Sequence, residues 1–368
     1  MSQPSLSQKG SSRIVGYDVA RALAVFGMIF VNFKLVMTGY EAHSGWIAWC
    51  LSLLEGRAAA TFVILAGVGL SLISRRAYNA SDTTALRHTR FLLLKRALFL
   101  FVVGLLYTPI WPADILHFYG LYIAVCAFLL TVSNRRLLWI AAGFTLGFVV
   151  LMLLFDYETG WNWATLEYQN FWTLPGMVRH MFFNGFHPVI PWTSFMIFGM
   201  WLGRQDIRNK LFRRRLFLIS LTVVAITEFT SHQLIRSLSA NADQQVYEII
   251  VALFGTAPMP PMPLYILSAG GTAVILILLS IILTENITET RWVKALISTG
   301  QLALTNYFAH VIIGMGALET FGLLESSSVL SSVIASSLFC LLVVLFSYHW
   351  QEQFKRGPLE WIIRKCTG

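Results

Sequence analysis

The sequence predicts an all-α protein, a polytopic bundle of about ten transmembrane helices with both termini in the cytoplasm. Of its 368 residues, 56% are hydrophobic and only 12% are charged, whereas about a quarter of the residues of a soluble domain are charged. The mean hydropathy is +0.66. So much apolar surface cannot be hidden in one soluble core, because the buried fraction grows slowly with chain size. The composition therefore excludes an ordinary soluble enzyme, a disordered chain and a nucleic-acid-binding protein.

Apolar runs determine the number of predicted helices. A helix needs about 20 mostly apolar residues to cross the hydrocarbon layer, and ten segments approach this length. The first is expected to be a retained anchor, because no small-residue cleavage site follows it. The predicted spans are residues 14–37, 46–74, 91–110, 114–132, 137–155, 188–203, 216–235, 264–284, 294–317 and 329–348.

The positions of the positive charges predict the orientation. Lys and Arg residues in short loops stay on the cytoplasmic side. The two termini and alternate connections contain 22 of the 27 Lys and Arg residues, and the opposite connections contain only Arg179 and Arg236. The net charge of +9 then follows from this orientation and from attraction to anionic lipid. A second interpretation is that the basic loops 75–96 and 204–215 attract a phosphorylated cytoplasmic donor.

The chain divides into a cytoplasmic N-terminal tail (1–13), a transmembrane bundle (14–348) and a basic cytoplasmic C-terminal tail (349–368). The longest extracytoplasmic segment, 156–187, is rich in aromatic residues. Aromatic side chains prefer the membrane interface, which favours a helix lying flat there. A platform on which sugars stack is the functional alternative. The four cysteines are scattered and no HxxxH motif is present, so neither a disulfide framework nor a metal site is expected.

Ionisable residues inside a bilayer are costly and mark candidate functional sites. In the first span, Asp18 and Arg21 share one helix face, and Asn32 extends this polar stripe toward the bundle interior. An ion pair that only fixes packing is the structural interpretation of the first two. In the second span, Glu55 and Arg57 are two residues apart, so they do not face each other on a helix. We expect them to pair with different neighbours.

Glu41 and His43 lie just beyond the first span. A histidine can take and return a proton near neutral pH, and a neighbouring carboxylate can orient it. The other interpretation of His43 is a solvated loop side chain. Glu55 is expected to lie beneath an outer cavity that contains His43.

Polar pairs at helical spacing occur in the fourth and ninth predicted spans. Such residues either hold helices together by hydrogen bonds or contact substrate. Six of the eight histidines map to the outer half of the protein, which suggests acid–base or acceptor chemistry facing outward. The pairs are Asp114 with His117, Gln301 with Thr305, and Asn306 with His310.

Four motifs resemble the YeiB-like family of bacterial membrane proteins, which is known as domain of unknown function 418. The first is R-x4-D-x2-RA-x-A-x2-GM-x3-N, which begins at Arg13 and ends at Asn32. The others are HPVIPWTSFMIFGMWLGR (187–204), STGQLALTNYFAH (298–310) and FKRGPLEWIIRKCT (354–367). The resemblance covers nearly the whole chain and implies a multi-pass protein of the bacterial inner membrane.

That family is similar, more distantly, to the transmembrane acyltransferases that include heparan-α-glucosaminide N-acetyltransferase. These enzymes move an acetyl group from cytoplasmic acetyl-CoA to a sugar across the membrane, and their essential histidine follows the first span in a motif resembling E-H-A-P-W. The stretch from Glu41 to Trp46, EAHSGW, is similar. The resemblance implies that His43 is the general base. This sequence departs from the family at two positions. Many YeiB-like proteins carry a basic residue where this chain has Gln301 and an amide where it has His310.

The resemblance implies a mechanism in which His43, oriented by Glu41 or Glu55, activates a hydroxyl or amine of a glycan or small molecule. The acyl donor is acetyl-CoA or another acyl-CoA, and no bound cofactor is required. The lipid bilayer is the expected environment, nucleic acid is not a partner, and an oligomer is compatible with the sequence. The candidate donor- or substrate-binding residues are Asp18, Arg21, Asn32, Arg57, Asp114, His117, Gln301, Thr305, Asn306 and His310.

A transporter or lipid-carrier flippase without chemistry is the main alternative, because intramembrane charges also describe a substrate or proton pathway. The sequence shows neither inverted repeats nor a pair of broken helices, which many transporters have. A structural partner of an envelope complex is a third interpretation, and it explains the buried charges poorly.

Overall fold

The computed structural model describes residues 13–38, 45–80, 82–163, 165–325 and 327–368. These residues form an α-helical bundle with one short antiparallel hairpin, β1 (Trp161–Asn162) and β2 (Glu167–Tyr168), and two π-helical turns, His180–Asn184 and His310–Met315. The helices are α1 (Gly16–Thr38), α2 (Trp46–Ser52), α3 (Arg57–Asn79), α4 (Thr83–Tyr107), α5 (Leu116–Phe128), α6 (Asn134–Leu154), α7 (Leu174–Arg179), α8 (Val189–Gly203), α9 (Lys210–Leu238), α10 (Gln244–Phe254), α11 (Pro263–Thr284), α12 (Arg291–Gln301), α13 (Ala303–Ala309), α14 (Gly316–Thr320), α15 (Val329–Gln353) and α16 (Pro358–Thr367).

Several of these helices are long and apolar enough to cross a membrane, as expected of a multi-pass membrane protein. Of the ten predicted spans, the one at α4 is interrupted by basic residues, and those at α5 and α8 have only 13 and 15 helical residues. The ten-span topology and the cytoplasmic termini therefore stay predictions. Within the described residues the six candidate spans are Gly16–Thr38, Trp46–Arg75, Asn134–Leu154, Lys210–Leu238, Pro263–Thr284 and Val329–Gln353, and the bent pair Arg291–Gln301 and Ala303–Thr320 makes a seventh if it is counted as one span.

Helix α1 lies at the centre of the bundle, in contact with α3, α11, α12 and α15. Its apolar side chains, such as Val25, Ile29 and Phe33, are almost completely buried. By contrast, α6, α9 and α15 bury only a small part of their apolar surface within the protein. Many large apolar side chains of these outer helices are exposed, for example Leu153, Ile226 and Leu342. An apolar periphery of this kind fits contact with lipid tails rather than with water.

The aromatic segment 156–187 forms a compact cap that consists of the hairpin, α7 and the first π-helical turn. The Trp161 and Trp163 rings stack with centroids 4.7 Å apart. The buried Asn184 amide donates to the backbone carbonyls of Tyr157 and Thr159, both at 2.8 Å. The segment therefore does not form the single flat interfacial helix that was predicted. Side-chain hydrogen bonds and ring stacking hold its short elements together instead.

The C-terminal region is also more ordered than a tail. Helix α15 continues to Gln353, so the predicted tail boundary at residue 349 falls inside a helix. Helix α16 follows and packs against α4 and α13.

Helices α3 and α8 approach each other closely at Gly199. A Cβ atom on Gly199 would lie 2.1 Å from the Ile64 carbonyl oxygen, so the contact tolerates no side chain. Close approach through small residues is a common way of packing membrane helices.

We therefore expect Gly199→Ala to lower the free energy of unfolding by about 1–3 kcal/mol, the usual cost of overpacking. The readout is thermal unfolding of the purified protein in detergent. Gly69→Ala is the matched control, because a Cβ atom on Gly69 of α3 meets nothing within 4 Å and alanine favours a helix. Equal melting temperatures for the two variants would contradict the close α3–α8 contact.

Candidate functional site

A cavity of about 260 Å³ lies between α1, the turn before α3, the cap and α13. Most of its wall is apolar. Its polar lining comes from Asn32 and Lys34 of α1, Glu55 of the turn, His187 of the cap and Tyr307 of α13. Four separate parts of the chain therefore supply polar groups to one enclosed space, which is the usual construction of a small-molecule site.

Lys34 and Glu55 form an ion pair inside this cavity, with the Lys34 ammonium 2.9 Å from the Glu55 carboxylate. The Lys34 side chain is only 7% exposed, and Glu55 is 36% exposed. The prediction that Glu55 lies at an outer cavity agrees with this geometry. Sequence reasoning missed Lys34, although a lysine inside an apolar span was a signal for it.

Arg57 points away from the cavity and pairs with α9. Its guanidinium donates to Glu228 at 2.7 Å, to Ser268 at 3.1 Å and to Thr256 at 3.4 Å. The prediction that Glu55 and Arg57 pair with different neighbours is confirmed.

Asn32 is held by His310 across the α1–α13 contact. The Asn32 amide nitrogen lies 2.9 Å from His310 Nε2, and His310 Nδ1 bonds to the Tyr307 carbonyl oxygen. Since a carbonyl oxygen only accepts, the ring proton of His310 is assigned to Nδ1 and Nε2 accepts from Asn32. His310 itself is fully buried. It therefore fixes the direction of an amide that lines the cavity.

Asp114 and His117 form a second buried polar group behind Tyr307. The Asp114 carboxylate accepts from the Tyr307 hydroxyl at 3.1 Å and from the Leu116 backbone N–H at 2.8 Å, and it lies 3.3 Å from His117 Nδ1. The predicted pairing of Asp114 with His117 is thus observed. Neither residue lines the cavity, so their link to it is through Tyr307. His117 Nε2 is buried and has no partner among the described residues.

Two further histidines, His180 and His187, lie beside this group in the cap. The rings of His117 and His180 stack with centroids 6.1 Å apart. Burial, and then the nearby His117, lower the pKa of His187 to about 3, and the pKa of His180 is also lowered by burial. Both imidazoles are therefore neutral at pH 7. Within the described residues, no group of three or more His, Cys, Asp or Glu side chains is arranged to hold a metal ion.

Asp18 and Arg21 lie at the other end of α1, away from the cavity. The Asp18 carboxylate, 4% exposed, accepts from Arg21 at 3.0 Å and from Arg13 at 2.8 Å. The residue separation along α1 puts Asp18 about 21 Å from Asn32 at 1.5 Å per residue. The predicted pair is thus present, and sequence reasoning missed Arg13 as its third member. A Cβ atom on Gly300 would lie 1.8 Å from the Asp18 carbonyl oxygen, so α12 contacts the α1 backbone here.

The remaining predicted residues lie at the α12–α13 junction, where they hold helices together. The Gln301 amide, with its oxygen facing Arg13, accepts from that guanidinium at 3.1 Å. Asn306 donates to the Thr299 carbonyl and to Ser347 Oγ, both at 3.1 Å. None of these contacts reaches the cavity.

The junction is a sharp break, with α12 and the helical segment that follows bent by 75°. The sequence shows no pair of broken helices, and within the described residues this junction is one break of that kind between apolar helices. Glu360 caps the N-terminus of α13, since its carboxylate accepts from the backbone N–H groups of Leu304 at 2.8 Å and Thr305 at 3.1 Å, and from the Thr305 hydroxyl at 2.5 Å. A helix N-terminus leaves such groups unpaired, and their positive partial charge favours a carboxylate. This contact gives a physical role to the RGPLEW motif.

Glu41 and His43 fall within residues 39–44, which lie outside the described residues. The chain enters this segment from Thr38, which lines the cavity.

We expect Glu360→Ala to lower the free energy of unfolding by about 1–3 kcal/mol, because it strands buried backbone donors. Glu360→Gln keeps an acceptor oxygen and is expected to lose less. The readouts are thermal unfolding and amide hydrogen exchange of residues 302–310. Glu352→Ala is the control, because Glu352 is exposed and pairs only with the exposed His349. Unchanged exchange in Glu360→Ala would show that the cap does not hold α13.

Comparison with known proteins identifies the family. Residues 13–234 match the family model described as heparan-alpha-glucosaminide N-acetyltransferase, catalytic, and residues 201–368 match protein of unknown function (DUF418). The uncharacterized protein YxaH of Bacillus subtilis is 22% identical, with 99% of this chain and 96% of the relative covered. The uncharacterized 39.9 kDa protein in the amylase 3' region of Bacillus acidopullulyticus is 24% identical, with 96% and 94% covered. The uncharacterized protein YeiB of Escherichia coli is 25% identical, with 96% of each covered. The chain therefore belongs to the heparan-alpha-glucosaminide N-acetyltransferase catalytic family, and its C-terminal part is similar to the DUF418 family.

Proposed function

We propose that this protein is a membrane-embedded acyltransferase of the bacterial inner membrane. It would move an acyl group, in the simplest case acetyl, from cytoplasmic acyl-CoA to a hydroxyl or amine of a glycan or small molecule at the extracytoplasmic side. The observation that supports this most is the small cavity lined by Asn32, Lys34 and Glu55. These residues all fall inside the part of the chain that matches the acetyltransferase family.

His43 is the proposed general base, oriented by Glu41 or Glu55. It takes the proton of the acceptor as the acceptor oxygen or nitrogen attacks the thioester carbonyl. The acyl–sulfur bond then breaks, and the proton passes from His43 to the leaving CoA sulfur. A general base of this kind contributes roughly 10²–10⁴ in rate. Lys34 holds the Glu55 carboxylate in place through their ion pair.

Asn32 is the proposed donor to the oxyanion that forms on the thioester carbonyl. Its amide has two N–H groups, and one is directed at His310. The other is free to point into the cavity that Asn32 lines. A donor already fixed in direction stabilises a developing charge without reorganisation. In this proposal His310 is a positioning residue.

The donor would dock its phosphates on Lys and Arg residues at the inner ends of the first three spans. Its pantetheine arm would pass Asp18 and Arg21 toward Asn32. Arg21 is 27% exposed and uses one nitrogen in its ion pair with Asp18, so other N–H groups of its guanidinium are available to an anion.

The other proposed binding residues act indirectly, by holding the helices that form the walls of the cavity. Arg57, Thr305 and Asn306 bond to protein groups, and Asp114 holds Tyr307. We propose that they position the helices around the cavity rather than touch substrate. The same holds for His117 and Gln301.

A transporter or flippase is the second candidate, and the broken helix at the α12–α13 junction is the observation in its favour. Broken helices in transporters commonly direct a free helix end at the substrate. Here the end of α13 is occupied by Glu360 of the same chain. Because Glu360 already occupies this helix end, the break is weak support for a transporter.

We expect His43→Ala to lower acyl transfer by about 100-fold or more while acetyl-CoA binding stays within about twofold. Release of CoA thiol from acetyl-CoA is measured with purified protein and a panel of glycan and amine acceptors. His349→Ala is the control, since His349 is exposed. Equal rates of acyl transfer for wild type and His43→Ala would show that His43 is not the general base.

We expect Arg21→Ala to weaken acetyl-CoA binding about tenfold or more, because a charge-assisted contact to an anion is lost. Calorimetry in detergent measures the affinity, and Arg236→Ala is the control on the opposite predicted side. If folded wild-type protein bound neither acetyl-CoA nor longer acyl-CoAs, the transporter would become the better assignment.

A further inference from the structure

A second cavity, of about 150 Å³, lies at the other end of α3 from Glu55. It is enclosed by the last turns of α3, the first residue of α6 and the residue after α8. Its lining residues are Ser71, Ser74, Arg75, Tyr78, Asn134 and Arg204.

Arg204 is fixed in this cavity by neutral groups. Its guanidinium donates to the backbone carbonyls of Val132 at 2.5 Å and Leu130 at 2.9 Å. It also lies over the Tyr78 ring, 4.6 Å from the centroid. None of these partners is negatively charged, so the positive charge of Arg204 is held in place without being neutralised.

Arg75 adds a second positive charge to the same wall. Within the part of the chain that the structure describes, Arg75 makes no hydrogen bond or ion pair, and no carboxylate lines the cavity. Two like charges facing one small space repel each other unless an anion lies between them. Their arrangement thus calls for a negatively charged ligand.

The neutral part of the wall also offers donors. The Asn134 Oδ1 atom accepts from Arg204 at 3.3 Å, which leaves the Asn134 NH₂ group for a ligand. Asn134 is the first residue of α6, and Ser133 before it makes no side-chain capping bond. The first N–H groups of a helix carry a positive partial charge that suits an anion.

We infer that this cavity is a phosphate-binding site. Planar guanidinium groups match phosphate oxygens with paired hydrogen bonds, and the amide and helix end complete a set of donors. A space of about 150 Å³ is smaller than the roughly 300–1,000 Å³ of ordinary ligand pockets. It therefore takes one phosphate group, and the rest of the ligand lies outside it. A lipid phosphate at this site is independent of the proposed acyl transfer, whereas an acyl-CoA phosphate here rests on that proposal.

Two sources carry such a phosphate at the predicted cytoplasmic surface. One is the headgroup of an anionic phospholipid, since basic pockets between membrane helices bind such headgroups. The other is a soluble phosphorylated molecule, of which the nucleotide part of acetyl-CoA is the obvious example. The recognition chemistry is shared, so the experiment has one arm for each source.

The experiment compares wild type with Arg75→Gln, with Arg75→Gln/Arg204→Gln, and with Lys355→Gln/Arg356→Gln as a control of equal charge at exposed positions outside the two basic loops. Phosphatidylglycerol and phosphatidylcholine are added in native mass spectrometry. Inorganic phosphate and acetyl-CoA are titrated by calorimetry in detergent without phospholipid. The melting temperature of each variant reports its fold.

We expect the double variant to lose binding of at least one phosphate probe by about tenfold or more, while the control stays within about twofold. Arg75→Gln, whose side chain has no protein partner to lose, is expected to show part of this loss at an unchanged melting temperature. A loss confined to phosphatidylglycerol identifies a lipid site, and a loss confined to acetyl-CoA or phosphate identifies a soluble ligand. If Arg75→Gln and the control bind every probe as wild type does, or if wild type binds none, the inference is wrong. His43→Ala tests acyl transfer separately, so failure of one proposal does not imply failure of the other.

Discussion

Charged and polar side chains on a helix at the centre of an apolar bundle must find partners on neighbouring segments, and α1 meets this constraint along its whole length. Asp18 is satisfied near the N-terminus, Asn32 by His310, and Lys34 by Glu55. An unpaired charge in such surroundings costs several kcal/mol. The positions of α12, α13 and the turn before α3 around α1 are therefore fixed by hydrogen bonds as well as by packing. The cavity lies beside the last two of these contacts, at the Asn32 and Lys34 end of α1.

Local patterns in the sequence predicted most helices and two of the pairs whose members lie one turn apart. The other two predicted pairs, Gln301 with Thr305 and Asn306 with His310, bond instead to residues on other segments. Asp18 with Arg21 and Asp114 with His117 are three residues apart, so helix geometry alone brings them together. Lys34 with Glu55 is separated by 21 residues and Thr305 with Glu360 by 55, and such pairs depend on how helices pack. No proline lies near the break after Gln301, so the sequence did not predict it. The two-residue strands of the cap are too short to show an alternating pattern.

Two cavities with polar linings lie at opposite ends of α3. One is the enclosed cavity beside the first turn of α3, where carboxylate, amine and amide groups meet. The other is the small basic cavity at the last turns of the same helix, which presents only donors and neutral acceptors. The apolar middle of α3 is packed closely against α8. The proposed reaction site and the inferred anion site thus lie at opposite ends of one helix, as the proposed use of different molecules on the two sides of the membrane requires.

The cap on α13 also bears on how the bundle is assembled. The backbone donors of Leu304 and Thr305 are made long before their acceptor, because Glu360 follows Thr305 by 55 residues and lies near the end of the chain. Until translation reaches Glu360, the broken end of α13 must bond to water or to other protein groups. The cap on α13 can therefore form only after residue 360 has been synthesised. A ribosome stalled before residue 360 would leave a chain in which the α13 wall of the cavity lacks its cap.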